Sequence, residues 1–507
     1  MKARPILLSS AALLLMPLAA RAALSLAPLF SDHAVLQRDK PLPVWGRADP
    51  GEKIAVTFHG QTVHATAESD GRWIVYLAPV PASAEPAELT VAGTTESTVV
   101  HDVLVGEVWL ASGQSNMEWS VSSLASEELK LASVDLPLLR QLKIQRSVAS
   151  APADTVKTDG WQPATPRTVG AFSAVGYFFA RDLQRKLGVP VGLINSSYGG
   201  TEIEAWMSDL SRQNTSCAAT LDARWKKAMS EWAPERIAAY PAAMTAWNNA
   251  EEHAKATHKK NLLPWPQPPS APGWPTEPGG LFNGMIAPLQ PAAIRGIVWY
   301  QGESNVGRAP EYAELFKAMI LAWRQNWGDP TVPFYFVQLP NYANGKAGAR
   351  DWAQLRDAQS RALELPATGM AIAIDVGEAN NLHPTHKLEV GRRLALLAMA
   401  QLYGGTADFS GPVFHSATPE GPALRVRFTH AGDGLVSHDR PVQALELAGA
   451  DKVFYPATAK IQRDTLLVSS PKVKTPVAVR YAWSNAPVAN LYNGSGLPAV
   501  PFRSDRW

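Results

Sequence analysis

The sequence predicts an α/β protein, a central parallel sheet with helices on both faces and a β domain on either side in sequence. Three observations carry this. Compact apolar runs at Val108–Leu110, Val191–Ile194, Ile297–Tyr300, Phe334–Val337 and Met370–Ile374 are separated, for the most part, by longer helical stretches. From about Leu24 to Val100 the runs are shorter, alternate in polarity and are split by turns such as Ser69-Asp70-Gly71, the rhythm of antiparallel strands. Beyond about Gly404 that rhythm returns in ALRVRFTHAGDGL and PVAVRYAWSNAP. With 507 residues, 46% of them hydrophobic, the chain can bury a large core and form more than one folding unit.

The opening MKARPILLSSAALLLMPLAARA has a basic start, an apolar middle and Ala20-Arg21-Ala22, the layout of a secretory signal peptide over residues 1–22 with cleavage before Ala23. Its apolar run is broken by Pro17 and falls short of the roughly 20 residues that span a bilayer. No later segment reads as membrane-spanning, so a periplasmic or secreted protein is expected. Cys217 is the only cysteine, which leaves no intrachain disulfide and puts stability on core packing. Lys plus Arg number 47 against 45 for Asp plus Glu, a balance of +2 that argues against nucleic acid as a partner.

An amino-terminal β domain is expected over 23–101, a catalytic α/β domain over 102–405 and a carboxy-terminal β domain over 406–507. Within the middle unit, Val175, Phe179, Leu183 and Leu187 fall on one face of a helix that starts near Phe172 and is capped by Gly188. Tyr312, Leu315, Phe316, Met319, Ile320, Trp323 and Trp327 mark a second helix between Pro310 and Gly328, and a third is expected from Lys387 to Leu402. An insertion at about 208–280 begins as a polar helical stretch. It ends in LLPWPQPPSAPGWPTEPGG, too rich in proline for a helix or a central strand.

In a parallel sheet the ligand site lies beyond the carboxyl ends of the strands, and polar clusters stand at those ends. ASGQSNMEW follows Leu110, NSSYGGTEIEAW follows Ile194, QGESN follows Tyr300 and DVGEANNLHPTHK follows Ile374. A nucleophilic hydroxyl requires a base within reach and donors aimed at the developing oxyanion. Ser115, at the turn after a strand, is the candidate nucleophile, and Ser112 is less well placed. His383 is the candidate base, on a loop stiffened by Pro384. Gly199 and Gly200 let a backbone amide approach the substrate, while Gln301 and Asn305 offer side-chain amides for the same purpose.

These blocks resemble the SGNH hydrolase superfamily, and more closely the sialate O-acetylesterase family with its carbohydrate acetylesterase relatives. LFSDHAVLQRDKPLPVWG, GEVWLASGQSNMEW, YGGTEIEAWMS, LFNGMIAPL, GIVWYQGESN, HPTHKLEVGRRLAL and YAWSNAPVANLYNGSGLPAVPFR carry the resemblance over most of the chain after residue 22. It implies an SGNH-like three-layer α/β/α fold and a serine esterase that removes acetyl groups from carbohydrate hydroxyls with no metal or organic cofactor. Ser115 would then be the nucleophile and His383 the general base. The Gly199–Gly200 turn and Gln301 would help form the oxyanion hole, with Asn305 as a competing donor.

Many SGNH enzymes carry Asp three residues before this histidine, where the chain has Asn380, with Asn381 beside it. Asp375, Glu378 or a backbone carbonyl remain as ways to orient His383. Glu303 reads as a structural hydrogen-bonding group. His386 makes an HxxH spacing with His383, but no third ligand stands at a recognised spacing, so no metal site is expected. His253 and His258 read as solvated helix residues. Among Trp119, Trp206 and Trp299, whose faces suit sugar rings, Trp299 is expected in the core. Acetylated carbohydrate is the expected partner, with O-acetylated sialic acid first and plant polysaccharide such as xylan or xyloglucan as the alternative. A catalytically silent carbohydrate-binding protein is the reading from another class.

Overall fold

The structure, a computed structural model, describes residues 23–257, 261–264, 266, 269–343 and 349–507. The expected signal segment 1–22 and His258 lie outside the described residues. Seven strands build the central layer: β1 (Ser97–Gly113), β2 (Leu136–Ile144), β3 (Thr158–Ala164), β4 (Val191–Ser197), β5 (Gly296–Tyr300), β6 (Phe334–Gln338) and β7 (Thr368–Ile372). Their order is β3-β2-β4-β1-β5-β6-β7. All neighbours run parallel except the edge strand β3, which lies antiparallel to β2. Every residue of β4 to β7 is buried, which is why these strands read as unbroken apolar runs rather than alternating ones.

Helices cover both faces. Along β1 and β5, Trp109 and Trp299 point to opposite sides of the sheet. Trp109 meets Phe179 of α2 (Ala174–Leu187) edge-on, with ring centroids 4.9 Å apart, while Trp299 meets Phe316 and Trp323 of α3 (Ala309–Asn326). The remaining layer helices are α4 (Asp351–Ser360) and α5 (Leu388–Leu402). α5 packs closely on α2, since a Cβ at Gly391 would stand 2.6 Å from Phe178 Cβ. α2 begins where the Ser173 side chain accepts a hydrogen bond from Gly176 N and ends at Gly188, whose φ of 67° closes the last turn.

β1 is much longer than the expected run. Its first part pairs antiparallel with Ser83–Ala92, Leu104–Gly106 pair with Val35–Gln37, and Glu107–Gly113 enter the parallel sheet. One strand thus belongs to both the amino-terminal β region and the central sheet. At the crossing, the fully buried Glu107 receives Arg38 at 2.6 Å and Arg295 at 2.7 Å. These two guanidinium groups hold its carboxyl below the usual range against the upward push of burial.

The insertion carries helices Asp209–Gln213, Ala218–Ser230 and Pro234–Ala256. The carboxy-terminal region folds into two four-stranded antiparallel sheets around its own apolar cluster, which includes Val426, Leu447, Val468 and Val479. No helix among the described residues is long and apolar enough to cross a membrane.

Candidate active site

The end of β1 explains its unusual sequence. Gly113 has φ of 136°, and a Cβ there would stand 2.1 Å from the carbonyl oxygen of Tyr300, so neither the conformation nor the space admits a side chain. Gln114 N donates to that carbonyl at 3.0 Å, and the chain turns into the short helix α1 (Ser115–Glu118). Ser112 is wholly buried in the strand, whereas Ser115 emerges half-buried at its tip.

Ser115 Oγ lies 2.8 Å from Nε2 of His383, although 268 positions separate the two residues. The loop bearing His383 is held by its own side chains. Asn381 Oδ1 accepts from His383 N at 3.0 Å, while Glu378 accepts from Thr385 N at 2.8 Å and from Asn381 Nδ2 at 3.2 Å. Burial pushes the Glu378 carboxyl upward, but these hydrogen bonds outweigh it and hold the group below its ordinary value. Asp375 is taken up by a two-pronged pair with Arg393, at 2.6 and 2.8 Å. Trp119 stacks on the imidazole with centroids 5.1 Å apart and an interplanar angle of 18°. Trp206 and Trp299, by contrast, are wholly buried.

Gly199 sits against the serine, where an added Cβ would lie 3.1 Å from Ser115 Cβ. Its amide donates to Glu118 Oε2 at 2.9 Å, and Gly200 follows with φ of 75°. Glu118 in turn holds Arg146 through two hydrogen bonds of 2.8 and 2.7 Å. The Arg146 guanidinium, half-exposed, covers the Tyr198 ring at 4.5 Å. A cation and an aromatic ring therefore stand beside Gly199, the residue packed on the serine.

Gln301 and Asn305, expected as oxyanion donors, are turned inward. Gln301 Nε2 donates to Thr201 O at 3.0 Å and to Asn305 Oδ1 at 2.7 Å, which uses both of its hydrogens. Asn305 Oδ1 also accepts from Ile203 N at 2.9 Å, and its Nδ2 donates to Glu204 at 3.0 Å. Both side chains are buried and fasten residues 201–204, which follow the Gly199–Gly200 turn. Gly302 φ of 153° redirects the chain between them, something a linear reading of QGESN cannot supply.

Behind the serine lies a group the sequence reading passed over. Lys387 is 1% exposed, and its Nζ donates to Asn116 Oδ1 at 2.5 Å. Asn116 Nδ2 donates to Glu303 Oε1 at 2.5 Å and to Leu382 O at 3.2 Å. The ammonium lies 5.6 Å from the Tyr300 ring centroid and 6.0 Å from that of Trp119. Burial pushes Lys387 down to about 7 despite the nearby carboxylates of Glu303, Glu378 and Glu128, and burial raises Glu303. Asn116 and Lys387 both stand in the motifs quoted above, one position after Ser115 and four after His383. Arg146 lies in none of them. His386 is exposed, with Nδ1 3.4 Å from Glu128, and among the described residues no three His, Cys, Asp or Glu side chains gather as a metal site would require.

Comparison with known proteins places the chain among carbohydrate esterases. The family model described as carbohydrate esterase, sialic acid-specific acetylesterase, matches residues 105–240 and 268–400. The mouse sialate O-acetylesterase is 30% identical, over 94% of this chain and 93% of its own length. The human sialate O-acetylesterase is likewise 30% identical, over 94% and 91%. The crystal structure of a carbohydrate acetylesterase from Xanthomonas citri superposes with a TM-score of 0.80 at 40% identity, covering 95% of this chain and all of the other.

Proposed function

Because the chain belongs to the sialic acid-specific acetylesterase family of carbohydrate esterases, we propose that it is an exported serine esterase that removes O-acetyl groups from sialic acid. The 2.8 Å contact between Ser115 Oγ and His383 Nε2 carries the proposed mechanism. His383 takes the hydroxyl proton as Ser115 attacks the acetyl carbonyl, then returns it to the departing sugar alkoxide. Water repeats the sequence on the acetyl-enzyme. The oxyanion faces the turn of Gly199 and Gly200. Glu118 already holds the Gly199 amide, so Gly200 is the donor assigned in that turn. Gln301 and Asn305 support this arrangement by fixing the segment that follows the turn.

Arg146 favours a carboxylate-bearing sugar, because its exposed edge can pair with an anion while Glu118 fixes its orientation. The aromatic faces of Trp119 and Tyr198 favour a second reading, a neutral acetylated plant polysaccharide such as xylan or xyloglucan. Export to the periplasm or the medium rests on the basic, apolar and small-residue order of residues 1–22. Two measurements test the proposal. Ser115→Ala should lower hydrolysis of 4-nitrophenyl acetate by about 10³-fold or more, and an unchanged rate would remove Ser115 as the nucleophile. Acetate release should be faster from O-acetylated sialic acid than from acetylated xyloglucan, and the reverse order would select the second reading.

A further inference from the structure

We propose that Lys387 and Asn116 are positioning residues for the reaction, Lys387 acting through Asn116 to hold the nucleophile and the base in register. This rests on Ser115 and His383 performing the chemistry. Asn116 directly follows Ser115, and its Nδ2 donates to the carbonyl of Leu382, the residue directly before His383. One side-chain amide therefore ties together the two chain segments whose side chains must meet.

An amide can face either way, and the wrong face would present oxygen to two acceptors, Leu382 O and Glu303 Oε1. Lys387 removes that choice. Its Nζ–H groups, in the ammonium and in the amine alike, donate to Oδ1 at 2.5 Å, which turns the NH2 toward Leu382 and Glu303. Glu303 supplies the opposing charge, and its other oxygen, Oε2, is buried without a hydrogen-bond partner. A buried lysine and a buried, half-satisfied carboxylate are costly in a core, and neither touches the reacting atoms. Their common product is a single orientation of Asn116. Trp119, which stacks on His383, also lies over the same ammonium, giving the imidazole plane a second tie to Lys387.

The test is a double-mutant cycle in the full chain, with 4-nitrophenyl acetate as substrate. Lys387→Met keeps the length and loses the donor, while Asn116→Ala removes the crosspiece. Each is expected to lower kcat at least tenfold with KM within twofold, the pattern of a displaced reacting pair. The double variant is expected to be no slower than Asn116→Ala alone, because the two residues act in series. Losses that multiply, or a kcat within twofold of wild type in either folded single variant, would overturn the proposal. Should Lys387→Met fail to fold, Asn116→Asp decides. It keeps the acceptor for Lys387 but loses the N–H bond to Leu382, so retained kcat overturns the proposal and a kcat-only loss supports it. Ser115→Ala serves as the separate control: if that variant stays active the chemical reading itself has failed, whereas an inactive Ser115→Ala with normal Lys387→Met rejects the positioning role alone.

Discussion

Adding one methyl group at Gly199 should slow the enzyme while leaving it folded. The Cβ of Gly199→Ala would stand 3.1 Å from Ser115 Cβ, 3.2 Å from Glu118 Oε2 and 3.4 Å from Ser115 Cα. Carbon atoms rest at about 3.5–4.0 Å, so the serine side chain must withdraw by about 0.5 Å. Glu118 cannot absorb the strain, since Arg146 clamps it from the other side. The Ser115–His383 contact of 2.8 Å would open to about 3.3 Å, beyond the roughly 2.6–3.2 Å over which a base takes a proton directly. A misplacement of about 1 Å costs about 10²-fold, so half of it should cost about tenfold, or about 1.4 kcal/mol of barrier. Overpacking should lower stability by about 1–3 kcal/mol. The assay is kcat on 4-nitrophenyl acetate beside the urea midpoint. Gly188→Ala is the companion: its φ is 67° and nothing lies within 4 Å of the new atom, so it should lose about 1–2 kcal/mol of stability and keep its kcat. A Gly199→Ala enzyme within twofold of wild type, or an equal kcat loss in Gly188→Ala, would refute the steric argument.

Two further outcomes concern stability. Lys387 holds its proton to about 10.5 in the unfolded chain but only to about 7 when folded, so the unfolded state binds the extra proton between those values and stability rises with pH across that window. Wild type should therefore gain on Lys387→Met in urea denaturation between pH 7 and pH 10, and a constant difference would argue against a buried, titrating ammonium. In the carboxy-terminal region, Arg480 and Asp505 form a buried two-pronged pair at 2.8 and 2.6 Å. Asp505→Ala leaves the guanidinium unpaired and should cost about 3–5 kcal/mol, read from the urea midpoint; a loss under 1 kcal/mol would show that water reaches the arginine.

Local pattern carried much of the fold. The helix expected from Phe172 to Gly188 is Ala174–Leu187, because its four-residue spacing, serine cap and terminal glycine all lie within one stretch of chain. β2 was missed because LPLLRQLKI mixes charge into a largely buried strand, where Arg140 is held by Pro137 O nearby and by Asp102, 38 positions away. β3 was missed because it is an edge strand that contains Pro163 and slips register twice. At the site, the meeting of Ser115 and His383 could be anticipated since each stands in a polar cluster that follows a strand. The inward turn of Gln301 was not, because it depends on the backbone at Gly302 and on acceptors from another strand end. Arg146 reaches the site only through Glu118 and Tyr198, so nothing in its own neighbourhood of sequence marked it.

Because β1 carries hydrogen-bonded partners along both its halves, severing the chain near residue 101 would not release two autonomous pieces. The amino-terminal fragment would lose the strand that completes its sheet, and the remainder would keep a bare edge and a Glu107 stripped of Arg38. Limited proteolysis and truncation should accordingly find no productive cut there. The serine just beyond the tip of β1 is thereby carried on a strand that the amino-terminal region and the central sheet hold together.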